Sequence, residues 1–148
     1  MRSLMLLTVP VMCAISVAGC GNSDDLSSPA ANRLRTLATV YLDYAVAKGT
    51  GPANEQQLHK HVQSVPGFLL EAGGVNPKAG SAAFVSERDG EQFVVRYGVG
   101  ISQAEGDEAP IIAYEKTGKD GTRFVAFANG KVDCIDDIAA MELMHEKL

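Results

Sequence analysis

Basic residues are few in this chain and nowhere gathered. Thirteen Lys and Arg stand against 18 Asp and Glu, a net charge of −5 over 148 residues. No cationic run is interleaved with aromatics, so a nucleic-acid partner is not expected, since neutralising phosphates needs a clustered Lys/Arg footprint. The same acidity argues against a polybasic patch for anionic lipid. Signatures of chemistry are missing too. The strained Gly-x-Ser-x-Gly elbow that exposes a serine nucleophile does not occur. His59 and His61 are two apart, so on a helix they point about 200° away from each other, and His145 is remote. Zinc asks for helical spacing of four or a closed Cys/His set. Glu105, Asp107 and Glu108 lack the alternating pattern of a calcium loop and read as a solvated acidic stretch. Gly98-Val99-Gly100 precedes no phosphate-binding helix. No catalytic residue, metal ligand or cofactor-binding residue is nominated, no cofactor is expected, and the chain is read as non-enzymatic.

Cysteine is scarce, and its three positions are informative. Cys13 lies within an apolar N-terminal run, Cys20 closes it, and Cys134 is alone near the end. A single late thiol has no intramolecular partner once the first two are accounted for. Its expected place is a small core position. An intermolecular disulfide is the alternative, and a nucleophile would need a base that the sequence does not nominate.

What is present begins at the N-terminus. Met1-Arg2 is a short positive end, and an apolar segment broken by Thr8 and Pro10 follows as far as Ala18. It is too short and interrupted for a spanning helix, which needs ~20 apolar residues. A charged start, an apolar centre and small residues before a cut are the parts of an export signal. Val17-Ala18-Gly19-Cys20 resembles the lipobox of bacterial lipoprotein signal peptides at all four positions. The resemblance implies diacylglycerol on the Cys20 thiol, cleavage between Gly19 and Cys20, and acylation of the new amine. Two or more chains anchor a protein stably where one does so only marginally. By the sorting preference of such proteins, Gly21 favours the outer membrane, with the head in the periplasm. A secretory signal cut elsewhere and an uncleaved anchor are the alternatives. Cleavage removes Arg2 and no acid, so the mature chain is more acidic still.

Residues 20–32 are small and polar and read as a flexible tether. A single α+β domain is expected over 33–148. Spacings of three and four through Leu34, Leu37, Tyr41, Tyr44 or Ala45, and Lys48 predict a helix over 33–48, capped by Asn32 and ended by Gly49 to Pro52. Asn54 and Gln57 open a short helix to about residue 63, with Leu58 and Val62 on one face. Residues 71–80 read as loop.

Two hairpin signals follow. Asp89-Gly90 joins predicted strands 82–88 and 91–99, pairing Arg88 with Glu91 and Phe84 with Val95 in a primed turn. Asn129-Gly130 joins 123–128 and 131–135, pairing Phe127 with Val132 and Val125 with Cys134. Residues 111–115 make a fifth strand. Asp136 caps a final helix over 137–147, with Ile138, Met141, Met144 or His145, and Leu148 inward. Helices packed on one face of a five-stranded antiparallel meander are thus expected.

Residues 110–116, followed by 121–132 with Asn129-Gly130-Lys131 at the turn, resemble the C-terminal part of type II secretion pseudopilin-like (prepilin-type) proteins. The helix over 33–48 followed by Gly51-Pro52 is loosely similar to segments of the same proteins. Those proteins carry a processing site and a long apolar packing helix where this chain has its lipobox. The resemblance therefore implies the head's fold and not filament assembly. Three functions remain: a lipid-anchored envelope protein with a binding or structural head and an envelope protein partner, a pseudopilin-like accessory of a secretion or pilus system, and an envelope hydrolase.

Overall fold

A computed structural model describes residues 25–103 and 108–146. The expected signal segment, the lipobox-like stretch with Gly19 and Cys20, and the acidic residues Glu105 and Asp107 lie outside the described residues.

The chain becomes regular earlier than expected. A 3-10 turn, Asp25–Ser27, leads into α1, Pro29–Lys48. Ser28 is the N-cap, its side chain accepting from Ala31 N at 3.3 Å. Pro29 stands at the first helical position, where a missing N–H leaves nothing unsatisfied. Asn32, expected as the cap, is inside the helix, and its amide reaches back to the Ser27 carbonyl. The earlier start has a packing cause: Ala30 and Ala31 are buried and Leu26 packs on the core. Along α1 the buried stripe is Leu34, Leu37, Ala38, Tyr41 and Ala45, so Ala45 faces inward and Tyr44 stands at its edge. Burying each large member of that stripe contributes roughly 1.5–3 kcal/mol.

Helix α2, Glu55–Val62, follows its sequence signals. Asn54 caps it through Gln57 N at 3.0 Å, and Leu58 and Val62 are buried. Gln57 returns the contact one residue early, accepting from Ala53 N. A third helix, α3 (Gly67–Ala72), runs into the stretch from residue 71 that was expected to be loop. Only Leu70 on it is buried, so it carries no readable stripe.

The sheet has four strands, not five, in the order β1-β2-β3-β4, each pair antiparallel. These are β1 (Val94–Val95), β2 (Ile111–Tyr114), β3 (Thr122–Phe127) and β4 (Val132–Asp136). The expected strand over 82–88 is lost because 3-10 turns spanning Pro77–Ala83 take its first residues. Only the bridge Val85↔Gln92 remains, with Phe84 bonded to Phe93 rather than placed against Val95. The turn is not primed, since Asp89 does not take a positive φ. Its carboxylate instead accepts from Glu91 N, Thr117 N and Gly118 N, tying the turn to the β2–β3 connection.

The last hairpin is shifted by one residue from the expected register. Phe124 faces Cys134 and Ala126 faces Val132. The loop holds three residues, not two: Gly130 N bonds Phe127 O, Phe127 N bonds Lys131 O, and Gly130 alone takes φ 86°. A turn followed by one left-handed residue is the usual three-residue hairpin solution. A one-residue shift exchanges the faces of the sheet. Phe124, Ala126 and Cys134 therefore join the cluster under α1, and Cys134 is half-buried there. Val125 and Phe127 join Ile111, Ala109, Tyr114 and Ile135 in a second cluster. A register shift within β2 lets Ile112 and Ala113 both belong to the first cluster while Ile111 and Tyr114 belong to the second.

Helix α4, Asp137–Glu146, starts as expected, with Ala139 N bonded to Asp136 Oδ1 at 2.8 Å. Its inward face differs. Asp137 is held by Arg123 at 2.6 Å and Ala140 is buried, which defines the inward side. Ile138 and Met141, one step round the helix, are exposed.

The interior also holds charge. Glu115 is fully buried. One carboxylate oxygen accepts from the Ser86 hydroxyl and the other from Phe124 N at 2.9 Å. Arg88 Nη1 lies 3.3 Å from the second oxygen, a charge contact without hydrogen-bond geometry, and its guanidinium stacks 4.2 Å from the Phe124 ring centre.

Candidate functional site

The outer edge of α1 carries Thr36, Thr39 or Val40, and Asp43 at helical spacing. This stripe faces the end of α2 and the start of α3. With His61, Ser64, Val65, Pro66, Leu69 and Leu70 it encloses a groove of about 320 Å³. Leu69 is half exposed on the rim, and Phe68 beside it is more exposed still. One end of the groove is fixed by close approach. A Cβ on Gly73, just past α3, would overlap the side chain of Thr36, so only glycine lets the two helices come this near.

His61 sits in the last turn of α2, with its side chain 18% exposed against 68% for Asp43. Its ring meets Tyr44 edge to face, 5.3 Å between centres. Its Nε2 is bonded to Asp43 Oδ2 at 2.9 Å. Its Nδ1 is 3.5 Å from Ser64 Oγ, but that hydroxyl donates to the His61 carbonyl at 2.7 Å. Asp43, His61 and Ser64 thus line up in the order of a hydrolytic triad, yet the serine proton is committed to backbone. A serine nucleophile needs its proton within reach of a base that can remove it. The arrangement is one of a braced polar wall beside an apolar floor.

A second cavity, about 360 Å³, shares His61 and Ser64 with the groove. Its other walls are Tyr44, Lys48, Gln57 and Lys60. The Tyr44 hydroxyl donates to Gln57 Oε1 at 2.8 Å, which fixes α1 against α2 on this side.

The structure separates the histidines, as their spacing requires. His59 turns away from α1, accepting from the Gln63 amide at 2.9 Å and lying where a side chain on Gly80 would stand. Both histidines are partly covered by a neighbouring element. The His145 side chain lies outside the described residues, and Glu108 is exposed. Among the described residues no three His, Cys, Asp or Glu side chains gather as a possible metal set. No described helix is long and apolar enough to cross a membrane.

Asp43, Ser64 and Lys60 were not singled out by sequence, and of these only Asp43 lies on the second stripe of α1, parallel to the core stripe and offset from it. No family model, curated protein or solved structure matches this chain.

Proposed function

We propose that this chain is a lipid-anchored cell-envelope protein whose folded head binds a partner or ligand and catalyses no reaction. The observation that carries the anchor is Val17-Ala18-Gly19-Cys20 at the end of an export-type segment. The Cys20 thiol takes the lipid and Gly19 leaves with the signal. Gly21 favours the outer membrane, with the head in the periplasm. Support for a binding head is the three-helix groove, whose volume lies within the range of ligand sites, about 300–1,000 Å³. Support for a non-enzymatic head is the Ser64 hydroxyl, bonded to backbone rather than poised on His61. Feeding cells a clickable fatty acid tests the anchor: the chain should be labelled, and Cys20→Ala should lose the label. Equal labelling of the variant would sink the reading. Co-purification of the detergent-extracted protein should recover an envelope protein.

A second reading, a pseudopilin-like accessory of a secretion or pilus system, draws support from one observation. A long helix comes first in the described chain and packs on an antiparallel meander that ends in the hairpin of β3 and β4. Recovery of envelope partners without any secretion component would count against it.

A further inference from the structure

The two cavities that meet at His61 and Ser64 differ in character. The groove has a floor of Val40, Val65, Pro66 and Leu70. The second cavity is walled by Lys48 and Lys60 with Tyr44 and Gln57, and among the described residues no carboxylate lines it. This grouping of lysines is notable in a chain of net charge −5. Asp43 lines the groove and is taken up by His61 Nε2. Ligand sites combine apolar walls with a few convergent polar groups that orient what they hold. Here the two properties are divided between adjoining spaces, apolar on one side and cationic on the other. An acidic surface elsewhere would turn an anion away from competing sites.

We propose that the two adjoining cavities together bind a small amphiphilic carboxylate, its apolar tail on the Val40–Leu70 floor and its charged head between Lys48 and Lys60. The inference rests on the head being a binding module and names the ligand class of that same site. A tail lying in the groove meets Val65 and Pro66 on one side and Val40 on the other. The head passes His61 and Ser64 and reaches the two ammonium groups. The groove's volume is near the lower limit of ligand sites, which favours a short tail.

The test is equilibrium dialysis of the full chain in lipid nanodiscs, with empty nanodiscs as the blank. The probes are octanoate, octanol (the same tail without charge) and acetate (the charge without the tail). Octanoate should be retained saturably at one site per chain, about tenfold more tightly than octanol, with acetate at the blank. Both lysines are exposed, so Lys48→Gln with Lys60→Gln should fold normally. That double variant should bring octanoate down to the level of octanol and leave octanol unchanged. Leu69→Asp, on the exposed rim, should lower both. Equal retention of octanol and octanoate, or a lysine variant that holds octanoate as the parent does, overturns the anionic ligand while the groove stands as a binding surface. Retention of neither probe above the blank overturns the groove as a small-ligand site as well.

Discussion

Arg88 and Glu115 meet in the interior of the domain, the guanidinium stacked on Phe124 and one carboxylate oxygen 3.3 Å from Nη1. Arg88 comes from the loop before β1 and Glu115 from the end of β2, so the pair closes that loop onto the sheet. The guanidinium also donates to Thr122 Oγ1 at 2.8 Å and the Lys119 carbonyl at 3.2 Å, which brings the β2–β3 connection into the same cluster. The contact joins two charges that neither chain segment could bury alone.

Breaking that pair from one side should be far worse than removing it whole. Glu115→Ala leaves Arg88 uncompensated and should cost roughly 3–5 kcal/mol. The double variant Arg88→Met with Glu115→Leu should recover most of that, since apolar replacements of a buried pair are often neutral. Urea midpoints of the two proteins check this, and a double variant as unstable as Glu115→Ala would refute it.

Asp89 makes the acid side of stability sensitive to pH. Burial pushes its carboxyl up, but the N–H groups of Glu91, Thr117 and Gly118 outweigh that and hold it below the ordinary 3.8. A lowered folded value means that the contribution is fully present above the unfolded value and is lost as pH falls through the folded one. The stability gap between parent and Asp89→Ala should therefore be constant near neutrality and close only below about pH 4. A gap that opened or closed between pH 6 and 8 would contradict this assignment.

Tyr41 ties the mid-helix of α1 to the segment after β1. Its buried hydroxyl donates toward Arg96 O at 2.8 Å, with Val99 O a second acceptor, and accepts from Val99 N at 3.1 Å. Burial, the larger influence, raises its pKa, so the hydroxyl stays neutral and keeps its proton for donation. Tyr41→Phe strands those backbone groups and should cost about 1–3 kcal/mol. Amide exchange at Val99 should accelerate in the variant before global unfolding. Unchanged exchange there would argue that the hydroxyl is dispensable.

Gly130 sets the register of the last hairpin. An alanine at φ 86° carries a left-handed penalty of about 1–2 kcal/mol. Gly130→Ala should lower thermal stability accordingly, while Asn129→Ala should lose the bond from Lys131 N without that backbone penalty. Equal effects of the two substitutions would point to a different turn.

The helices were legible where local chemistry and burial agreed. Asn54 with Gln57, and the stripe Leu34, Leu37 and Tyr41, each signal a start or a face through neighbours three and four apart, and both appear in the structure. The strand over 82–88 failed because 3-10 turns spanning Pro77–Ala83 take its first residues, and because Asp89, besides bracing its own turn at Glu91 N, ties that turn to Thr117 and Gly118. The last register failed because both faces of β3 are apolar, so hydrophobic alternation could not choose between pairings one residue apart. Of the candidate site, His61 was visible but its partner Asp43, 18 residues away, was not. Nothing local marks a residue that matters only once two helices pack.

By itself, the sequence determined the α+β class, the caps of α2 and α4, the positions of both hairpin turns and the lipobox-like Val17-Ala18-Gly19-Cys20 on which the proposed anchor rests. Each is written in residues adjacent or within one helical turn, where propensity and hydrogen-bond reach act directly. The tertiary structure alone decided the strand count, the faces of β3 and β4, the inward side of α4 and the groove between three helices. Those depend on which buried groups find partners far away in the chain: Glu115 with Arg88, Asp89 with the β2–β3 connection, Asp137 with Arg123, and Asp43 with His61. A buried or half-buried charge must be met wherever its partner lies, and that requirement is settled only when the chain is packed.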